Sequence, residues 1–164
     1  MSPDEMLVAA IQVAEDGLAA GELPIGAVVV MGDDVVGRAF TQEKTQGRRL
    51  VHADLLAMTE ADRALGWRRR PAPLTLAVNL EPCVMCLGAA MAMGVSQIYF
   101  GLESPGDGAS AVAAERRPLS ADLPEYAAPA ITGGIRREEV REQFRRYCEG
   151  AADSGMRRWA ATLA

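Results

Sequence analysis

His52, Asp54, Cys83 and Cys86 are the residues from which chemistry can be built. They fall in two short motifs, His52-Ala53-Asp54 and Pro82-Cys83-Val84-Met85-Cys86. One imidazole and two thiolates make three zinc ligands, and three protein ligands leave a fourth tetrahedral position for water. Zinc lowers the pKa of such a water to about 7, and a carboxylate nearby moves its proton onward. Asp54, two residues from the histidine, suits that task. The chain has one histidine, so any histidine-dependent chemistry runs through His52. Each motif alone says little. His-x-Asp is common by chance, and Cys-x-x-Cys at a strand-to-helix junction also serves thiol–disulfide exchange. A redox dithiol leaves His52 and Asp54 without a task, and a structural zinc normally takes four protein ligands. An open catalytic zinc site uses all four residues.

The elements that must bring the motifs together are readable from the pattern. Ser2, Pro3 and Glu5 form a capping box, Leu7, Ile11, Ala14 and Leu18 recur at helical spacing, and Gly21 ends the run. Residues 25–31 read as a buried strand, Gly32-Asp33-Asp34 as a turn and residues 35–40 as the returning strand. Residues 41–50 are polar and read as a loop, and residues 51–65 as a second helix stopped by Gly66. A strand over 74–78 leads to Pro82, which opens a helix from Cys83 to about Met93. Residues 97–101 and 129–132 are further strands, and the chain is helical from Arg136, interrupted near Gly150 and Gly155. Helices alternating with strands predict an α/β protein, a three-layer α/β/α sandwich. No repeat or linker divides it, so residues 1–164 read as one domain with a C-terminal helical element over about 136–164. Both motifs then lie at helix N-termini, whose positive ends favour thiolate.

Composition excludes other classes. Hydrophobic residues at 49% and charged residues at 24% rule out wholesale disorder. No apolar run approaches the roughly 18 residues that span a bilayer. The acidic start Met1-Ser2-Pro3-Asp4-Glu5 and an odd cysteine count of 3 point to the cytoplasm. With 17 Lys+Arg against 22 Asp+Glu and a net charge of −5, the chain is a poor non-specific binder of nucleic acid. Arg68, Arg69 and Arg70 read as a solvated run, Phe144 and Tyr147 as core, Met85, Met91 and Met93 as core or dimer interface, and Cys148 as half-buried.

His-x-acid followed about thirty residues later by Pro-Cys-x-x-Cys resembles the signature of the zinc-dependent cytidine deaminase-like superfamily. The likeness extends to Leu23-Pro24-Ile25-Gly26-Ala27-Val28, to Leu80-Glu81-Pro82 with Gly88-Ala89, and to Ile98-Tyr99-Phe100-Gly101. These segments are similar to the branch that holds tRNA adenosine deaminases and guanine deaminases, over about residues 4 to 147. The resemblance implies a five-stranded mixed sheet between helices, with His52, Cys83 and Cys86 as zinc ligands. It also implies a homodimer with active sites near the interface. The implied reaction is hydrolytic: zinc-activated hydroxide attacks an amine-bearing ring carbon, a carboxylate shuttles protons, and ammonia leaves.

Three departures narrow the substrate. Asp54 stands where the family has its shuttling glutamate, shorter by on the order of 1.5 Å, and a misplacement of that size can cost roughly a hundredfold. Asp54 then works through a shifted backbone or a bridging water, is an introduced attenuation, or marks a protein that binds without efficient turnover. Thr41 stands where relatives carry an asparagine that reads the substrate, so Thr41, with Ala53 beside the ligand histidine, is a candidate substrate contact. In the loop from Gly101 to Ala109, Gly106 holds the place of the tRNA enzymes' lysine and Asp107 adds a negative charge. The segment Gly47-Arg48-Arg49-Leu50-Val51 lacks that subfamily's Pro-Thr-Ala approach. Trp159 is a candidate aromatic lid for a base-sized pocket. The reading is a zinc-dependent deaminase of a free amino-nucleobase or related amino-heterocycle, with guanine, cytosine-like and triazine-type rings all conceivable. The alternatives are a tRNA-specific adenosine deaminase and a non-catalytic, zinc-stabilised heterocycle-binding protein.

Overall fold

Ser2 opens the first helix as its neighbours dictate. Its hydroxyl accepts the Glu5 N–H at 3.2 Å and the Glu5 carboxylate accepts the Ser2 N–H at 2.7 Å, so α1 (Pro3–Ala19) begins with a complete capping box. The apolar run that follows is β1 (Gly26–Met31), which turns at Gly32, φ 64°, into β2 (Asp34–Phe40). The computed structural model describes residues 1–117 and 127–164. After α3 (Ala53–Leu65) come β3 (Leu74–Leu80), α4 (Val84–Met93), β4 (Val95–Leu102) and β5 (Ala130–Thr132). The sheet order is β2-β1-β3-β4-β5. β1 is antiparallel to both β2 and β3, while β3, β4 and β5 run parallel. This is the five-stranded mixed sheet that the resemblance implies.

Strand alternation sorts the core into layers. Val28, Val30 and Ala77 pack with Leu7, Ala10 and Val13 of α1. On the other face Val29, Leu76, Val78, Ile98 and Phe100 pack with Ala57 and Ala61 of α3 and with Leu87 and Ala90 of α4. Gly37 lets α3 lie close on β2, since a Cβ there would stand 2.2 Å from the Ala57 carbonyl oxygen. A further cluster joins Val140, Phe144 and Tyr147 of α6 (Arg137–Gly150) to Ala160 of α7 (Gly155–Ala160), Leu23, and Leu80 and Leu102 at the carboxyl ends of β3 and β4. Trp159 meets Phe144 edge-on, with ring centroids 6.2 Å apart. Phe144 and Tyr147 are therefore core, as expected, and Met91 is buried with Met85 and Met93 packed against the core. Among the described residues no helix is long and apolar enough to cross a membrane.

Some boundaries differ from the sequence reading. The polar stretch over 41–50 contains a helical turn, α2 (Glu43–Gln46), because the buried Glu22 carboxylate accepts the Lys44 and Thr45 N–H groups at 3.1 and 2.6 Å. The helix expected over 51–65 begins at Ala53 with His52 as its N-cap, and α4 begins at Val84 with Cys83 as its N-cap. A short helix, α5 (Ser110–Glu115), carries no strong periodicity and was not expected. Arg70 is not purely solvated, for its guanidinium donates to the Met93 carbonyl at the end of α4.

One buried amide ties the layers together. Asn79 of β3 accepts the Gly26 N–H at 3.0 Å and donates to the Pro24 carbonyl at 2.7 Å and to Gln143 Oε1 at 3.0 Å. Gln143 in turn donates to the Ile11 carbonyl at 3.0 Å. Asn79→Ala strands three buried partners, and unfolding in urea is expected to show a loss of about 3–5 kcal/mol. A loss below about 1 kcal/mol would mean that the network is not a structural tie.

Candidate active site

β3 continues one bond past its end, with Glu81 N–H donating to the Leu102 carbonyl. Pro82 then has no N–H to continue the ladder, so the chain leaves the sheet and Cys83 caps α4. The carboxyl ends of parallel strands are where open α/β sheets place ligands. The Glu81 carboxylate holds the loop after β4 over this point, accepting the Ser104 and Ser110 N–H groups at 3.0 Å each. Gly108 pairs with Cys83 in an isolated bridge, and a Cβ on Gly108 would stand 2.7 Å from the Ser104 carbonyl oxygen and closer still to the Glu81 carboxylate. Only glycine fits there.

α3 and α4 start side by side, which brings His52 Nδ1 to 3.6 Å from Cys83 Sγ and 3.8 Å from Cys86 Sγ. The three ligand atoms lie within 4.8 Å of one another. Tetrahedral zinc, with bonds of about 2.3 Å to sulfur and about 2.0–2.1 Å to nitrogen, spaces its ligands by about 3.6–3.8 Å. The donor set therefore fits zinc. Asp54 is buried in the first turn of α3, with Oδ1 accepting from Cys86 Sγ at 2.9 Å and from the Leu55 N–H at 3.2 Å.

Charge is unevenly shared among these groups. Cys83 is pulled down to about 4, first by the hydrogen bond from the Cys86 thiol and then by His52, against burial. Cys86 is pushed up by that same bond, by burial and by the Asp54 charge. His52 is raised to about 9, chiefly by its contact with Cys83. Burial pushes the Asp54 carboxyl above its usual range. At pH 7 the metal-free protein is therefore expected to hold Cys83 as thiolate, with protons on His52 and Cys86 that a metal must displace.

Zinc uptake at pH 7 is expected to release about two protons per ion, falling to about one above pH 9, where the imidazole is already neutral. Calorimetry in buffers of different ionisation enthalpy measures this. Uptake without proton release would contradict the donor set.

The ligand cluster opens onto a cavity of about 700 Å³. His52, Ala53, Asp54, Cys83, Thr41 and Trp159 all line it, so six of the seven residues singled out in the sequence meet there, with Cys86 fully buried. The Thr41 hydroxyl is engaged: its one proton has two acceptors, Glu43 Oε2 and the Val51 carbonyl, each at 3.2 Å. Sequence reasoning missed Glu43, Glu81 and Met156 as further lining residues. Glu81 was signalled by its place immediately before Pro82-Cys83. Glu43 and Met156 had no local signal.

A sheet whose carboxyl end carries a His-Cys-Cys cluster beside a buried carboxylate defines a zinc-dependent hydrolytic deaminase. The family model for the cytidine and deoxycytidylate deaminase zinc-binding region matches residues 1–102, and the chain belongs to that family. It is 41% identical over 112 residues to the tRNA-specific adenosine deaminase of Bacillus subtilis, covering 67% of this chain and 68% of that one. The chain spans 25% of the length of the tRNA(Ile)-lysidine synthase of Deinococcus radiodurans and 57% of that of a tRNA-specific adenosine deaminase of Streptococcus pyogenes. A solved structure from work on tRNA:A34 deaminases that edit the wobble position of transfer RNA superposes with a TM-score of 0.73 at 28% identity, covering 85% of this chain and 98% of that one. The guanine deaminase of Nitrosomonas europaea shares the fold, with a TM-score of 0.71 at 21% identity over 89% of this chain and 84% of its own.

Proposed function

We propose that the chain hydrolytically deaminates a free amino-nucleobase or a related amino-heterocycle. The observation that carries this reading is the cavity roof: Met156 and Trp159 of α7 line the same cavity as His52, Asp54 and Cys83. A cavity of this size suits a small molecule, and an aromatic face gives a stacked base roughly 1–3 kcal/mol. A polynucleotide calls for exposed cations along its path. Here Glu43, Glu81 and Asp107 line the cavity and outnumber the two exposed cations that line it with them, Arg48 and Arg49, while Arg145, Arg146 and Arg158 on the C-terminal helices pair with Glu142, Glu15 and Asp153. Exposed Leu50, just before the first motif, and Val84, within the second, support a homodimer, and free thiols suit the cytoplasm.

His52, Cys83 and Cys86 would hold the zinc. Zinc supplies a nucleophile at neutral pH by lowering the pKa of a coordinated water to about 7. Leu23, Val78 and Leu80 form apolar walls that restrict bulk water, and Trp159 stacks on the ring. Asp54, with its carboxyl raised by burial, takes a proton from the attacking water and passes it to the ring nitrogen. It then takes the second proton from the hydroxyl now on the attacked carbon and delivers it to the departing amine. Water and substrate become a ring carbonyl and ammonia.

Ammonia release is expected from one or a few free rings in a panel of amino-bases, azabases, nucleosides and an anticodon stem-loop. Asp54→Asn is expected to lower kcat by about 10²–10⁴-fold with zinc content retained. Trp159→Ala is expected to raise KM for the ring by roughly tenfold. The second reading, a tRNA-specific adenosine deaminase, is favoured by the 41% identity to the Bacillus subtilis enzyme. Ammonia from the stem-loop alone, with binding that weakens steeply with salt, would establish it in place of the first.

A further inference from the structure

His52 turns Nδ1 towards the two thiols, which leaves Nε2 on the far side of the ring. That nitrogen faces Glu43, whose Oε1 lies 3.6 Å away, within ion-pair range and about half an ångström beyond a hydrogen bond. The other carboxylate oxygen, Oε2, accepts from the Thr41 hydroxyl at 3.2 Å. Glu43 is thus aimed at the imidazole from one side and tethered from the other.

Its backbone is held as firmly. Glu43 is the first residue of α2, and the turn is clamped from below by Glu22, which is fully buried. Glu22 accepts the Lys44 and Thr45 N–H groups and the Thr45 hydroxyl. Lys44 Nζ donates to the Gly21 carbonyl at 2.9 Å, and the Gln42 N–H donates to the Val51 carbonyl at 3.0 Å, next to His52. A buried carboxylate and a backbone bond to the neighbour of His52 therefore hold Glu43 in place beside the imidazole.

We propose that Glu43 is the positioning residue of the zinc site, accepting the Nε2–H of His52 and so presenting Nδ1 to the metal. This rests on the assignment of His52, Cys83 and Cys86 as the ligands. An imidazole can bind a metal through either nitrogen, and the acceptor of the other nitrogen's proton decides which. Such a carboxylate also makes the ring a stronger donor. Glu43 belongs to neither motif and touches neither thiol among the described contacts; its action is through His52.

The single histidine makes the test direct, because protein labelled with ¹⁵N at histidine gives one imidazole. In the zinc-loaded wild type the ring is expected to carry its proton on Nε2, protected from exchange. Glu43→Ala is expected to lose that protection and to bind zinc roughly 10–100-fold more weakly in competition with a chelator. Glu43→Gln keeps an acceptor oxygen and is expected to keep the tautomer and most of the affinity, a rescue that a general loss of fold would not show. Unchanged affinity and unchanged exchange in Glu43→Ala would overturn the proposal, as would a proton on Nδ1 in the wild type. If zinc binds as expected but no substrate in the panel is turned over, the substrate assignment fails while this proposal stands. If the wild type takes up no zinc, the ligand assignment fails and the proposal with it.

Discussion

Two helices that start at the same point bring their unpaired N–H groups, and the positive ends of two dipoles, into one small volume. A helix normally relieves this with a capping side chain. In α3 and α4 the N-cap residues are His52 and Cys83, and neither side chain caps its own helix. Both are turned towards each other instead. Cys83 supplies the anionic character that the two ends favour, its thiol lowered first by the hydrogen bond from Cys86 and then by His52. The placement of β3 against β4, the break at Pro82 and the close approach at Gly108 all serve to bring these two helix starts together.

A cluster spaced to within a few tenths of an ångström needs surroundings that do not drift. Polar side chains, buried at Glu22, Asn79 and Gln143 and half-buried at Glu81, supply that rigidity, each at a joint between elements. Glu22 holds α2, Glu81 holds the loop after β4, and Asn79 with Gln143 joins the sheet to α1 and α6. Buried carboxylates and amides are costly unless every partner is met. Here the partners are mostly backbone N–H and C=O groups that strand and helix pairing leave over, so one bond satisfies both sides.

The aspartate in place of the family's glutamate has a visible consequence. Its Oδ1 rests 2.9 Å from Cys86 Sγ and accepts the N–H of the next residue, so the carboxyl lies against a ligand and the helix backbone. A side chain one methylene longer reaches further from the backbone. The short one keeps the carboxyl fully buried, and burial accordingly dominates the upward shift of its pKa. The departure at Thr41 is also absorbed locally, since Glu43 and the Val51 carbonyl both engage its hydroxyl.

Much of the site was legible before any coordinates. The His52 and Cys83–Cys86 motifs, their positions at helix starts and the alternation of helices with strands all follow from neighbours within a few residues, where spacing and capping chemistry act directly. The long-range pairings were not legible. Glu22 reaching Lys44 and Thr45, Glu43 facing His52, Asn79 meeting Gln143 and α7 bringing Trp159 to the cavity wall depend on which face each element turns to the others. Trp159 was singled out only as an aromatic of the right kind, and Glu43 was one carboxylate in a polar stretch. By itself the sequence determined the chemical class and the His-Cys-Cys group that could hold a metal, because those rest on residue type and motif spacing. The tertiary structure alone decided which carboxylate stands behind the histidine and which C-terminal residues line the cavity, because side chains distant along the chain meet only once the layers have packed.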